Sequence, residues 1–237
     1  MQLDKDQILS ENNRFQRSHQ DYFNFLSDQL DNQDKDVNGI LRKLANFQVA
    51  IPSWALGAGG TRFGRFGYFG EPASLEQKIE DVGILHALTK TAGAVSLHIP
   101  WDIPQDYNAI KELANANDLV FDAVNSNTFQ DQKDAKESYR FGSLSNLNAS
   151  ARQQAIQHNV DVIKIGEKLG SKSLTVWLAD GANFAGQRNF QSALTHTENS
   201  LKSIYSALPE DWKMFIEYKP YEPNFYSTVI QDWGTSF

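Results

Sequence analysis

Phe215-Ile216-Glu217-Tyr218-Lys219-Pro220-Tyr221-Glu222-Pro223 reads as the end of a strand that ought to be buried and yet carries charge. An apolar run stops at a carboxylate and, two residues on, an ammonium. The two-residue period of a strand puts both side chains on one face. Burying either ion alone is costly, so Glu217 and Lys219 either neutralise each other as a structural ion pair or stay wet and serve a metal or substrate. The spacing leaves both readings open. The rest of the chain favours the second, because polar or aromatic residues recur at the ends of successive strands.

Working outward, short apolar runs at 47–54, 94–100, 119–124, 173–180 and 213–220 read as strands. Helical periodicity lies between them, over 74–91, 106–117, 148–169 and 188–207, with a last helix expected at 223–232. Ser74 with Gln77 forms a capping-box pattern at one helix start, and Gly170 is a stop signal at the end of another. Strands alternating with helices imply βα units and parallel strands, as in a doubly wound sheet or a TIM barrel. A doubly wound sheet gathers its site at one switch point, whereas a barrel spreads it over many strand ends. Trp54, His98, Asn125, Trp177, Asp180, Glu217 and Lys219 fall near the ends of five different strands. The barrel is therefore favoured, as an incomplete (β/α)8 barrel of about five units. The missing three units would need on the order of 100 more residues at roughly 40 per unit. We expect a helical extension over 1–46 and a partial barrel over 47–237, the first part of a longer protein.

Composition narrows the function. The net charge of -7 and the lack of Lys/Arg clusters argue against a nucleic-acid surface. No apolar run approaches a membrane span, and the first residues lack the basic and apolar regions of a signal peptide, so a cytoplasmic location is expected. With no cysteine, thiolate metal ligands and disulfides are excluded. Asn148-Ala149-Ser150 matches a glycosylation sequon that carries no weight without secretion.

Residues 4–30 place Ile8, Phe15, Phe23, Leu26 and Leu30 at helical spacings and read as one amphipathic packing helix. Asp34-Lys35-Asp36-Val37-Asn38-Gly39 starts like a calcium loop. Arg42 at its ninth position and Ala45 at its twelfth do not complete one, so a polar turn before a helix at 38–46 is expected. The glycine-rich segment 57–64 has Arg62 where a dinucleotide fingerprint needs glycine, and Arg65-Phe66 where a phosphate loop needs Lys and a hydroxyl residue. It reads instead as a long loop presenting Phe63, Phe66, Tyr68 and Phe69.

His98, alone, would be read as a satisfied structural histidine. Taken with Trp54, Trp177 and the Glu217/Lys219 pair it describes a pocket with aromatic walls, an imidazole, a hard anionic ligand and a fixed cation. Flat aromatic faces suit the apolar side of a sugar ring, and Glu217 is an oxygen donor of the kind Mg²⁺ and Mn²⁺ prefer. One carboxylate does not make a metal site. Further ligands would come from residues after Phe237, or from Asp180 and Glu222.

The strings Ile51-Pro52-Ser53-Trp54-Ala55, Gly59-Gly60-Thr61-Arg62-Phe63, Val95-Ser96-Leu97-His98-Ile99-Pro100-Trp101-Asp102, Asn125-Ser126-Asn127-Thr128-Phe129, Leu174-Thr175-Val176-Trp177-Leu178-Ala179-Asp180-Gly181 and Glu217-Tyr218-Lys219-Pro220-Tyr221-Glu222-Pro223 resemble the bacterial L-rhamnose isomerases of broad sugar specificity, in the xylose-isomerase-like TIM-barrel superfamily. The resemblance runs in order to the last residue. It implies aldose–ketose interconversion: ring opening, then a metal-mediated hydrogen shift between C2 and C1. It further implies that Glu217 bridges two divalent ions, usually Mn²⁺ with Mg²⁺ or Co²⁺ as substitutes, and that Lys219 polarises a substrate oxygen. By the same resemblance His98 assists ring opening, Trp54, Phe129 and Trp177 shape the pocket, and Phe63 reaches a neighbouring subunit in a homotetramer. The family's remaining Asp and His ligands, on strands six to eight, have no counterpart here, so the 237 residues alone should bind metal weakly and not turn over. Two alternatives stand beside this reading: a non-catalytic barrel fragment, and a ketose 3-epimerase of the same superfamily, for which a carboxylate pair rather than a lysine beside Glu217 would be expected.

Overall fold

The computed structural model describes residues 4–57, 70–179, 181, 185–220 and 228–237. By their internal contacts they fall into two compact units, one holding the described residues of 4–57, 70–95 and 108–120, the other those of 96–107 and 121–237.

The first unit opens with helices. In place of one helix over 4–30 there are two, α1 (Lys5–Arg14) and α2 (Gln16–Asp31), parted at Phe15. No residue of α2 is buried, and Phe15, Phe23 and Leu26 are exposed, so of the apolar positions read as a packing face only Ile8 reaches a core. Helix α3 (Val37–Ala45) starts where expected. The Asp36 carboxylate is its cap, accepting from Gly39 N at 2.8 Å.

Strand β1 (Ala50–Pro52) is shorter than its apolar run and passes into a 3-10 turn, Ser53–Ala55. Helix α4 (Leu75–Thr89) begins at the expected box: Ser74 Oγ accepts from Gln77 N at 3.3 Å, and Gln77 Oε1 accepts from Ala73 N at 2.6 Å. Ile79 and Val82 carry the buried side of α4, while Leu88 stays exposed. Strand β2 (Ala94–Ser96), helix α5 (Tyr107–Ala116) and strand β4 (Val120–Phe121) complete this part, with the three strands in the order β1-β2-β4. The expected second and third strands are each interrupted, at Leu97 and at Asp122-Ala123, where the ladder is resumed by β3 (His98–Ile99) and β5 (Val124–Ser126).

In the second unit β3, β5, β6 (Ser173–Leu178) and β7 (Lys213–Tyr218) form a sheet in that order, every pair parallel. Helix α6 (Ala149–Leu169) crosses from β5 to β6 and α7 (Phe190–Tyr205) from β6 to β7, the βα alternation read from the sequence. Asn125 and Ser126, past the end of the apolar run read as the third strand, belong to β5. Asn125 N donates to Leu97 O at 2.8 Å and its carboxamide Nδ2 donates to the same oxygen at 3.2 Å, so the polar residue is satisfied inside the ladder.

One face of this sheet is sealed. Val124, Leu174, Val176 and Leu178 are at most 2% exposed, and α6 approaches closely because position 166 is glycine. A Cβ there would lie 2.6 Å from the Trp212 ring and 2.9 Å from Val124. Gly170, with φ 89, ends α6 in the left-handed conformation, as expected.

Strand β7 departs from expectation. Phe215 is 50% exposed and Ile216 39%, because β7 is an edge strand paired with β6 alone among the described residues. The helix expected over 223–232 is also absent across its described part, 228–232; residues 221–227 lie outside the described set. Thr228 Oγ1 instead lies within donating distance of Leu178 O, at 2.9 Å, and of Ile230 O, at 2.8 Å, in a non-helical segment with Thr228, Val229 and Ile230 buried, and the short helix α8 (Trp233–Ser236) follows. No described helix is long and apolar enough to cross a membrane.

Helix α6 also carries a buried imidazole. His158 Nε2 accepts from Asn127 N at 3.1 Å. Its other nitrogen is hydrogen-bonded to the Ile99 backbone. Loss of water pushes its pKa down from 6.5 to about 4, against smaller opposing effects of Asp161 and the Ile99 contact.

Two outcomes follow. Gly166→Val should cost about 1–3 kcal/mol in chemical denaturation, because helix and strand must part to admit the side chain. Since His158 titrates lower in the folded chain than in the unfolded one, its contribution is complete above pH 6.5 and is lost as pH falls towards about 4. The loss, on the order of 3 kcal/mol, should appear in denaturation midpoints measured across that window and should be absent from His158→Gln.

Candidate functional site

Alternation along the parallel strands decides which side chains meet. His98 aligns with Asn125, Asn125 with Thr175, and Thr175 with Phe215. Two residues further on, Trp177 aligns with Glu217. All six positions share one face, opposite the face sealed by Val124, Leu174 and Val176. The structure therefore brings His98, Trp177 and Glu217 to the same side of one sheet, with Trp177 and Glu217 as direct neighbours.

An aromatic cluster fills the space above His98. Directly after β3 the chain turns on a reciprocal pair of contacts: His98 N donates to Asp102 Oδ2 at 2.9 Å, and Asp102 N donates to His98 O at 2.9 Å. This turn lays the Trp101 indole on the His98 imidazole, with centroids 3.9 Å apart and planes inclined by 15°. Phe129 stands edge-on to both, at 6.0 Å from His98 and 6.3 Å from Trp101, and edge-on to Trp177 at 4.6 Å. Phe129 and Ala179 are buried, while Trp101 and Trp177 are partly exposed around them. The expected wall residues Phe129 and Trp177 thus touch, and Trp101 and Asp102 join them. Neither had been singled out, although Trp101 stands three residues past His98 across an Ile-Pro turn, a spacing that brings a side chain back over its predecessor.

Glu217 and Lys219 form the polar border. Glu217 is solvent-accessible on the edge strand, yet the apolar residues around it remove enough water to raise its carboxyl above the usual range, with the Lys219 ammonium acting in the opposite direction. Lys219, directly after β7, is half-buried. The pair is electrostatically coupled and also open to solvent, so the burial premise behind a purely structural ion pair does not hold here.

Trp54 lies in the 3-10 turn after β1, in the other unit. Phe63, Asp180 and Glu222 lie outside the described residues. Among the described residues no group of three or more His, Asp or Glu side chains could hold a metal ion. Glu217 offers a single hard oxygen donor, and the donor set is incomplete as it stands. What is assembled is an aromatic surface beside a carboxylate and an ammonium, suited to the apolar face and the hydroxyls of a small polyol.

Comparison with known proteins agrees with that chemistry. No family model matches the chain. Over 212 residues, 90% of its length, it is 50% identical to a probable sugar isomerase of Rhizobium meliloti and 51% identical to a probable sugar isomerase of Mesorhizobium japonicum. The match covers 49% of each, so the chain spans about half the length of these relatives. Neither is named for a particular sugar, so the L-rhamnose part of the resemblance goes beyond them. Among solved structures, 3-keto-D-glucoside 4-epimerase from E. coli superposes with a TM-score of 0.56 over 80% of this chain and 62% of the other, at 8% identity. D-allulose 3-epimerase from Methylomonas sp., solved with D-allulose, gives 0.53 over 79% and 55%, at 9% identity. These likenesses concern the fold alone: a parallel α/β barrel architecture, of which this chain covers part.

Proposed function

We propose that this chain is the first part of a sugar isomerase that interconverts an aldose and a ketose, of the L-rhamnose to L-rhamnulose type. The observation that supports it most is the identity of half the positions over 212 residues with proteins named as probable sugar isomerases. The placement of His98, Trp177 and Glu217 on one face of a parallel sheet is what such a reaction needs.

In this reading the sugar's C–H face lies against Trp177 and Phe129, where apolar contact orients it without fixing the hydroxyl pattern. The His98 imidazole, held by the Trp101 stack, presents a nitrogen to a ring oxygen or hydroxyl proton and assists ring opening. Lys219 offers a fixed cation to a substrate oxygen that gains negative charge during the hydrogen shift. By the family resemblance, Trp54 and Phe63 are further expected substrate-binding residues, Phe63 from a neighbouring subunit of a homotetramer. Glu217 would be a carboxylate ligand of a divalent cation, Mn²⁺ or its substitutes Mg²⁺ and Co²⁺; among the described residues no group of three or more possible ligands completes the set. Such an ion, when bound, supplies Lewis-acid polarisation.

The likeness to two epimerases concerns the fold and does not choose between isomerisation and epimerisation. The products do. Incubated with Mn²⁺ and L-rhamnose, the full-length protein should form L-rhamnulose, and Glu217→Gln should lower the rate by ~10²-fold or more. Conversion of a ketose to its C3 epimer with no aldose formed would replace this reading with the epimerase one, and an unchanged rate in Glu217→Gln would remove Glu217 from the machinery.

A further inference from the structure

We infer that His158, on α6 and outside the aromatic cluster, is a positioning residue of the candidate site: through one neutral imidazole it ties Asn127 to the end of β3 and so sets Phe129 against His98 and Trp177. Asn127 is fully buried, and its carboxamide makes no hydrogen bond among the described residues, so the residue is located through its backbone. The Asn127 N–H donates to His158 Nε2 at 3.1 Å. The Asn127 carbonyl accepts from Gln132 Nε2 at 3.3 Å, and the same amide donates to Gln130 O at 3.1 Å. That second tie lies within residues 127–132 and travels with them. His158 ties the segment to α6, a different element.

The other nitrogen of the ring reaches the Ile99 backbone. One side chain therefore links a point one residue after His98 to a point two residues before Phe129. Between those points lie the contacts that define the cluster, the 6.0 Å approach of Phe129 to His98 and its 4.6 Å edge-on contact with Trp177. Edge-on aromatic pairs depend on ring placement, so a drift of residue 127 is felt first there. The tie requires an acceptor towards Asn127 and a donor towards Ile99, which a neutral imidazole supplies and an imidazolium does not. A glutamine carboxamide has both groups, and leucine has neither.

That the cluster receives a sugar rests on the isomerase reading; the positioning does not, and its test needs no sugar. With 5-fluorotryptophan incorporated into the chain, the five tryptophans give separate fluorine resonances, assigned by single Trp→Phe changes. In His158→Leu the resonances of Trp101 and Trp177 should shift. That of Trp212, which packs against Gly166 on the same helix, should stay, as should that of Trp233 in α8. His158→Gln should restore the wild-type spectrum. A His158→Leu spectrum with Trp101 and Trp177 unmoved, or one in which Trp212 moves equally and His158→Gln does not rescue, overturns the inference. Nitrogen-15 NMR of the wild-type histidines gives a second measurement independent of how the variants fold. His158 should be the Nδ1-protonated neutral tautomer at pH 7, and an Nε2-protonated or doubly protonated ring there would equally refute it.

Discussion

The in-register pairing of β6 with β7 is the constraint on which the rest depends. Parallel strands expose alternate residues to alternate faces, so the alignment of Trp177 with Glu217 fixes both on the same side as His98 and Asn125. A slip of one residue would turn Glu217 towards the helix layer, where a carboxylate has no solvent, and would turn Ile216 into the cluster. The sealed face resists that slip. Val124, Leu174, Val176 and Leu178 leave no room for a charge, and the contact of Gly166 with Val124 and Trp212 sets the helix at a distance a larger side chain would break. Core packing on one face thereby enforces chemistry on the other.

Electrostatics follow from the same arrangement. A carboxylate in the middle of a covered sheet would need a full complement of partners. On the edge strand Glu217 keeps part of its water; loss of the rest raises its carboxyl pKa, and the Lys219 ammonium works against that rise. An exposed edge with Phe215, Ile216 and Tyr218 accessible is an uncovered surface. It accords with a chain that spans about half the length of the relatives it matches.

Much of this was legible in the residues. Alternating strands and helices, the Ser74/Gln77 box and the Gly170 stop are local signals, and they hold because capping and left-handed glycine are decided within a few residues. The grouping of His98, Phe129, Trp177 and Glu217 was also legible, since strand-end position and two-residue parity carry it. What escaped depends on contacts between distant segments. The burial of β7 was read from its own apolarity, whereas the presence of a neighbouring strand decides it. The extension of β5 through Asn125 and Ser126 rests on hydrogen bonds to Leu97, which polarity alone does not reveal. The failed helix over 228–232 reflects Thr228 bonding to Leu178, fifty positions away. His158 looks like any polar residue of a long helix until its two nitrogens are seen to reach Asn127 and Ile99.

On the proposed function, the His98 imidazole, the Trp177 indole and the Glu217 carboxylate, carried by three parallel strands, face one side and would together receive a sugar. Crystallography of the protein soaked with L-rhamnose addresses it most directly. Electron density for the sugar is expected against the Trp177 and Phe129 rings, with the His98 imidazole and the Glu217 carboxylate on the sugar's side of the sheet. Density for Glu217 on the helix-covered face, or a sugar bound away from these rings, would contradict it.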